Sequence, residues 1–158
     1  MVVQINFAQS QSDFDNARRL FIEYAETLGF SLCFQSFDEE LEYLPGKYAT
    51  PDGCILLAWD ELVCAGCVGL RPLSETVCEM KRLYVKPDYR GTGLGRLLAE
   101  KIVQFGAEKK YSKILLDTLS SMNSAQALYR SLGFFETEPY YDNPHPDVVY
   151  FEKNMTNS

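Results

Sequence analysis

The spacing of hydrophobic residues changes several times along the chain, and each change marks a new element. Residues 2–7 alternate weakly, which predicts a short first strand. A polar stretch follows in which Ser12 or Asp13 is expected to cap a helix. Its apolar residues Phe14, Ala17, Phe21, Tyr24 and Leu28 form one stripe, and Gly29 supplies the stop. A shorter helix, from about Phe37 to Leu44, carries the acidic patch Asp38, Glu39, Glu40 and Glu42 before Pro45-Gly46 ends it. Two apolar runs, Cys54 to Trp59 and Leu62 to Leu70, flank Asp60-Glu61 and read as a hairpin. After the turn Pro72-Leu73-Ser74-Glu75, a third run from Thr76 to Val85 completes an antiparallel meander.

Beyond Val85 the pattern becomes helical. The stretch RGTGLG opens a helix with Leu94, Leu98, Ile102 and Phe105 inward, and Lys113 to Thr118 is the next strand. Strand, loop, helix and strand in this order predict a right-handed crossover to a parallel partner. Asn123 to Leu132 is the last helix, closed by Gly133, with final strands near Phe134 to Thr137 and Val148 to Lys153. The expected fold is one α/β (α+β) domain over residues 1–158: a mixed, mostly antiparallel sheet flanked by helices. No repeat, low-complexity tract or linker interrupts it, and Pro139 to Pro146 is the one long turn-rich stretch.

Composition narrows the class. With 158 residues, 46% of them hydrophobic and 13% aromatic, the chain can bury roughly two thirds of its unfolded surface without a disulfide or metal staple. No apolar run approaches the ~18 residues of a bilayer span, and residues 1–7 lack the pattern of a secretion signal, so a cytoplasmic protein without a membrane partner is expected. The net charge of −7 argues against a nucleic-acid partner. That charge is unevenly placed. Lys81, Arg82, Lys86, Arg90, Arg96, Lys101, Lys109, Lys110 and Lys113 face only Asp88, Glu100 and Glu108 in the same stretch, about +6, which leaves about −13 elsewhere. Such an island suits a compact anion, although solvated helix charges account for part of it. The acidic remainder, with Glu138 to Asp147, suggests in turn a cationic partner.

Five cysteines, Cys33, Cys54, Cys64, Cys67 and Cys78, are an odd number in a chain with no export signal and read as buried thiols. Cys64 and Cys67 form a CxxC inside a strand, where residues three apart point to opposite faces. The single His145 lies far away in sequence, so no zinc or other metal is expected.

The segment CEMKRLYVKPDYRGTGLGRLL concentrates the chemistry. Its glycines follow a strand and open a helix, where unpaired backbone N–H groups and the positive helix end favour phosphate. Gly91, Gly93 and Gly95 admit close approach and unusual backbone angles, and Arg90 adds charge. A P-loop would need GxxxxGK, and a dinucleotide fingerprint GxGxxG on a first βαβ unit; neither spacing is present.

The sequence resembles instead the GNAT superfamily of acyl-CoA-dependent N-acetyltransferases. The family pattern Gln/Arg-x-x-Gly-x-Gly/Ala is matched by Arg90-Gly91-Thr92-Gly93-Leu94-Gly95 after a strand ending Leu83-Tyr84-Val85. A second signature is nearly met by NSAQALYRSLGF, with Asn123, Leu128, Tyr129, Gly133 and Phe134 in place and the small residue displaced to Ala125 and Ala127. The resemblance covers roughly Cys54 to Phe134 and reaches the first fifty residues only by element order.

This resemblance implies a central parallel pair of strands that splay apart. Backbone groups of Leu83, Tyr84 and Val85 would then pair with the pantetheine arm of acetyl-CoA, the expected cosubstrate. The pyrophosphate would sit on the amides from Arg90 to Gly95, including Thr92 and Leu94, with Arg96 assisting. Tyr129 corresponds to the family's usual proton donor, although it also belongs to the helix's apolar stripe. Asn123 corresponds to a pantetheine contact, and an N-cap would explain it equally. Glu79 is the expected general base, acting directly or through water, against an ion pair with Lys81. The implied reaction is direct attack by a primary amine, from a small molecule or peptide, within a ternary complex. A non-catalytic acyl-CoA-binding sensor is the alternative, and a dinucleotide-dependent oxidoreductase a second. Small family members often dimerise, so a homodimer is allowed. Tyr140, Tyr141 and His145 either line the acceptor pocket or pack a loop.

Overall fold

The computed structural model describes residues 2–29 and 36–155, so Met1 and Cys33 lie outside the described residues. The elements are β1 (Gln4–Phe7), α1 (Gln11–Leu28), α2 (Phe37–Glu42), β2 (Cys54–Asp60), β3 (Val63–Pro72), β4 (Val77–Val85), α3 (Leu94–Glu108), β5 (Lys113–Leu119), α4 (Asn123–Ser131), β6 (Phe135–Thr137) and β7 (Val148–Asn154). They build a seven-stranded sheet in the order β1-β2-β3-β4-β5-β7-β6. Every neighbouring pair is antiparallel except β4 and β5. On one face α3 buries Leu94, Leu98, Ala99 and Ile102 against Val68, Leu70, Met80 and Leu116. On the other, α1 sets Ala17, Leu20 and Phe21 against Ile55, Leu57 and Cys67. Among the described residues no helix is long and apolar enough to cross a membrane.

Local chemistry explains where the elements begin and end. The cap of α1 is Ser10, not Ser12 or Asp13, because only this register closes a capping box. The Asp13 amide donates to Ser10 Oγ at 3.1 Å while the Ser10 amide donates to the Asp13 carboxylate at 3.2 Å. Gly29 ends the helix in the left-handed region, at φ 75°. The β2–β3 turn is Glu61-Leu62, one residue later than the sequence suggested, since Asp60 still pairs with Val63.

Two bulges shape the sheet. On β3, Ala58 faces Gly66 and Trp59 faces Cys64, so Ala65 is an extra residue. The CxxC thiols therefore share one core instead of pointing to opposite faces, a correction to simple strand alternation. Burial raises the pKa of Cys64 to about 11, lifts Cys67 well above the usual thiol range, and pushes Cys54 and Cys78 up to about 12.

The second bulge lies on β4, where Cys67 faces Tyr84 and Gly69 faces Lys81, so three steps of β4 match two of β3. Arg82 sits at this extra step with φ 62°, a left-handed conformation that is costly for a bulky residue. Its side chain is held from both sides. Nε and Nη2 each donate to the Glu40 carboxylate at 3.0 Å, and the guanidinium lies 5.0 Å from the Phe37 ring centroid. The Arg82 carbonyl accepts from Cys67 Sγ at 3.2 Å. Two members of the apparent charge patches, Arg82 and Glu40, are thus committed to each other inside the protein. Parallel pairing of β4 with β5 covers only Val77, Cys78 and Glu79 against Lys113, Ile114 and Leu115, and stops just before the bulge.

Gly69, opposite Lys81, is where Tyr48 lies flat on the sheet. A Cβ there would stand 2.7 Å from Tyr48 Cε1. Gly69→Ala is expected to displace this ring and cost roughly 1–3 kcal/mol, read as a lower denaturant midpoint at unchanged slope.

Candidate active site

Where β4 leaves β5, a cleft of about 560 Å³ opens between the two strands and reaches α1 and α4. Leu83, Tyr84 and Val85 line it from β4, and Leu116, Asp117 and Thr118 from β5. Arg90, Asn123 and Tyr129 also face it, so six residues singled out from the sequence meet in one cavity.

The loop between β4 and α3 shows why its glycines are needed. Gly91 and Gly93 have φ of 77° and 88°, and Gly93 caps α3 with no side-chain hydrogen bond to the helix. The first amides of α3 therefore remain available to an anion, with the helix dipole behind them. Gly95 differs from the expectation. Its φ is ordinary, and a Cβ there would make a normal 3.8 Å contact with Val85, because the chain is already helical at this point. Thr92 Oγ1 donates to the Tyr89 carbonyl at 2.6 Å and fixes the loop, while Leu94 turns into the core. Arg96 donates to Ser131 Oγ at 2.7 Å, which ties α3 to α4.

Arg90 lies 5.6 Å from the Tyr84 ring centroid, and its Nε donates to the Val85 carbonyl at 3.0 Å. The strand edge expected to be free from Leu83 to Val85 is thus already used at that carbonyl, since the guanidinium lies within reach of it.

Tyr129 is 7% exposed, with its ring against Phe134 and Phe151 at centroid distances of 5.9 and 6.2 Å. Among the described residues its hydroxyl has no hydrogen-bond partner. Burial drives this phenol upward from its ordinary pKa, and the nearby Tyr24 and Asp117 add to the shift, so it holds its proton at neutral pH. The N-cap of α4 is Met122, which leaves Asn123 as the first helical residue. The N-cap explanation of Asn123 therefore falls away by one position.

Glu79 is not in this cleft. It lines a neighbouring cavity of about 520 Å³ together with Arg71, Lys81, Leu115, Tyr140 and Tyr141. At 1% exposure, its carboxylate accepts from Arg71 Nε at 2.8 Å and from the Tyr140 hydroxyl at 2.5 Å, with Lys81 Nζ at 3.9 Å. Its main ionic partner is thus Arg71, directly across on β3, rather than Lys81. Lys81 lines both cavities. Burial pulls its ammonium pKa down, and Glu79 opposes that pull.

Sequence reasoning passed over two charged groups, Asp117 and Arg71. Asp117 accepts from the Tyr141 hydroxyl and faces the cleft. The signal was a carboxylate inside the otherwise apolar strand KILLDTL. Tyr140, Tyr141 and Tyr150 pack edge to face with centroids 5.2 to 5.6 Å apart, which seats the segment after β6 beside both carboxylates.

A central strand that parts from its parallel neighbour above a glycine-built helix start is the arrangement expected of an acyl-CoA-dependent N-acyltransferase. The sequence profile of the acetyltransferase (GNAT) family matches residues 15–134. An uncharacterised N-acetyltransferase of Schizosaccharomyces pombe is 43% identical over 156 residues, covering 98% of this chain and 96% of the relative. Among solved structures, a GNAT-family acetyltransferase of Staphylococcus aureus superposes with a TM-score of 0.80 at 21% identity, covering 98% of this chain and 100% of its own. The PaiA N-acetyltransferase of Thermoplasma acidophilum, solved in complex with coenzyme A, gives a TM-score of 0.74 at 18% identity, covering 98% and 99%. The chain belongs to the GNAT acetyltransferase family.

Proposed function

We propose that the protein transfers an acetyl group from acetyl-CoA to a primary amine of a small molecule or peptide by direct attack in a ternary complex. The observation that carries this reading is the cleft at the β4–β5 divergence, with an unbonded, protonated Tyr129 hydroxyl inside it and an uncapped helix start beside it. Backbone groups of Leu83 and Tyr84, with Asn123, would hold the pantetheine arm. The amides from Gly91 to Gly95 would hold the pyrophosphate, with Arg90 and Arg96 adding charge.

In the reaction the amine nitrogen bonds to the thioester carbonyl carbon and the carbon–sulfur bond breaks. The protonated Tyr129 hydroxyl donates a hydrogen bond to the departing sulfur and shares its proton with it as negative charge develops there. The nitrogen's surplus proton passes towards Glu79 through solvent. Glu79 acts at one remove, since its carboxylate is already bonded to Arg71 and Tyr140.

Thermal shift with acetyl-CoA and with NAD(P) tests the cofactor, and thiol release over an amine panel tests the transfer. A saturable rise in midpoint with acetyl-CoA alone, with thiol release, is expected. No shift with acetyl-CoA would overturn the reading. Binding without release to any amine would leave an acyl-CoA sensor in its place.

A further inference from the structure

Arg71 stands at the junction of two cavities on the α1 face of the sheet. One is the cavity that holds Glu79; the other, of about 420 Å³, is lined by Glu39, Glu40, Tyr43 and Tyr48. The Arg71 side chain is 21% exposed, and its Nε is committed to Glu79. Among the described residues its two Nη groups donate to no protein atom. Tyr48, on the same face, is 2% exposed, and its hydroxyl is the one buried side-chain polar atom without a partner among the described residues. That hydroxyl lies within electrostatic reach of Arg71, Arg82, Glu40 and Glu79, between two ion pairs and bonded to neither.

Buried polar groups are usually bonded, and an unsatisfied one costs about 1–3 kcal/mol. A guanidinium fork with unused N–H groups beside a lone phenol is a set of donors awaiting paired acceptor oxygens. The planar match to that fork is a carboxylate. An ammonium would meet Arg71, Lys47 and Lys81, and a dianionic phosphate would face Glu39, Glu40 and Glu79 at close quarters.

We propose that the acetyl acceptor is a zwitterion, an amine that also carries a carboxylate, and that Arg71 with Tyr48 holds the carboxylate. This rests on the transferase reading and adds the acceptor's chemical class to it. Lys81 lines both the cavity that Arg71 borders and the cleft, where the Asp117 carboxylate faces the amine end. A zwitterion has no net charge, so the field of a −7 protein neither draws nor expels it. The acceptor class therefore differs from the cationic one that the charge distribution alone suggested.

The test is calorimetric titration of the CoA-saturated protein with glycine, β-alanine and 4-aminobutanoate, each beside its amide and its decarboxylated amine. At least one carboxylate is expected to bind roughly tenfold or more tightly than its two counterparts, the usual worth of a charge-assisted hydrogen bond. Arg71→Lys, which keeps a positive charge beside Glu79 but loses the fork, is expected to erase that preference at unchanged CoA affinity. Tyr48→Phe is expected to weaken carboxylate binding severalfold, with CoA affinity and thermal midpoint retained. Equal binding across every series, no binding of any carboxylate, or a preference that survives Arg71→Lys overturns the proposal. Loss of CoA binding by the unsubstituted protein overturns the transferase reading itself. Turnover of amines regardless of a carboxylate overturns only the acceptor class.

Discussion

Tyr129→Phe is expected to lower kcat about a hundredfold, the low end of what a positioned general acid contributes, while the affinity for acetyl-CoA stays within about twofold. The ring's contacts with Phe134 and Phe151 do not involve the hydroxyl, so the variant should fold normally. Single-turnover thiol release separates the chemical step from binding. The pH dependence has a definite sign. Because the folded phenol is held above its ordinary value, the donor keeps its proton through neutral and mildly alkaline pH. Any fall in rate below about pH 10 must then belong to another group. By linkage, the stability tied to this neutral phenol is fully present below about pH 10 and is lost as pH rises further. Unchanged turnover in the variant would remove Tyr129 from the mechanism.

The second large effect concerns the bulge rather than the chemistry. Glu40→Leu leaves the Arg82 guanidinium, 2% exposed at its side chain, without its bidentate partner. A loss of about 3 kcal/mol is expected, the usual consequence of removing one member of a buried ion pair. Arg82→Gly combined with Glu40→Leu should recover much of that loss. Glycine adopts the φ of 62° freely, and no ion remains to be desolvated. A double-mutant cycle by urea denaturation measures the coupling. A Glu40→Leu variant within about 0.5 kcal/mol of the parent would show that the pair adds little.

Elements with a long, regular apolar stripe were legible in the sequence. Phe14 to Leu28 and Leu94 to Phe105 form their helices as read, and Gly29 and Gly133 both take positive φ at helix ends. The bulges were not legible. LVCAGCVGL is apolar throughout, so an extra residue at Ala65 leaves no visible break in alternation. Arg82 read as part of a basic island because its partner Glu40 is 42 residues away in sequence. The cleft was anticipated through Arg90, Asn123 and Tyr129, whose spacing forms local motifs. Arg71 and Tyr140 carry no such motif, and they matter only because strand pairing and a returning loop bring them to Glu79.

The brevity of the β4–β5 ladder has a mechanical side. Four strands stand on one side of it and three on the other, and three matched residue pairs tie those halves through the backbone. A linear molecule wedged further along that seam, bonding to both flanks, would act as a splint across this short ladder. Resistance to unfolding would then report seam occupancy directly, with no need to follow chemistry at all.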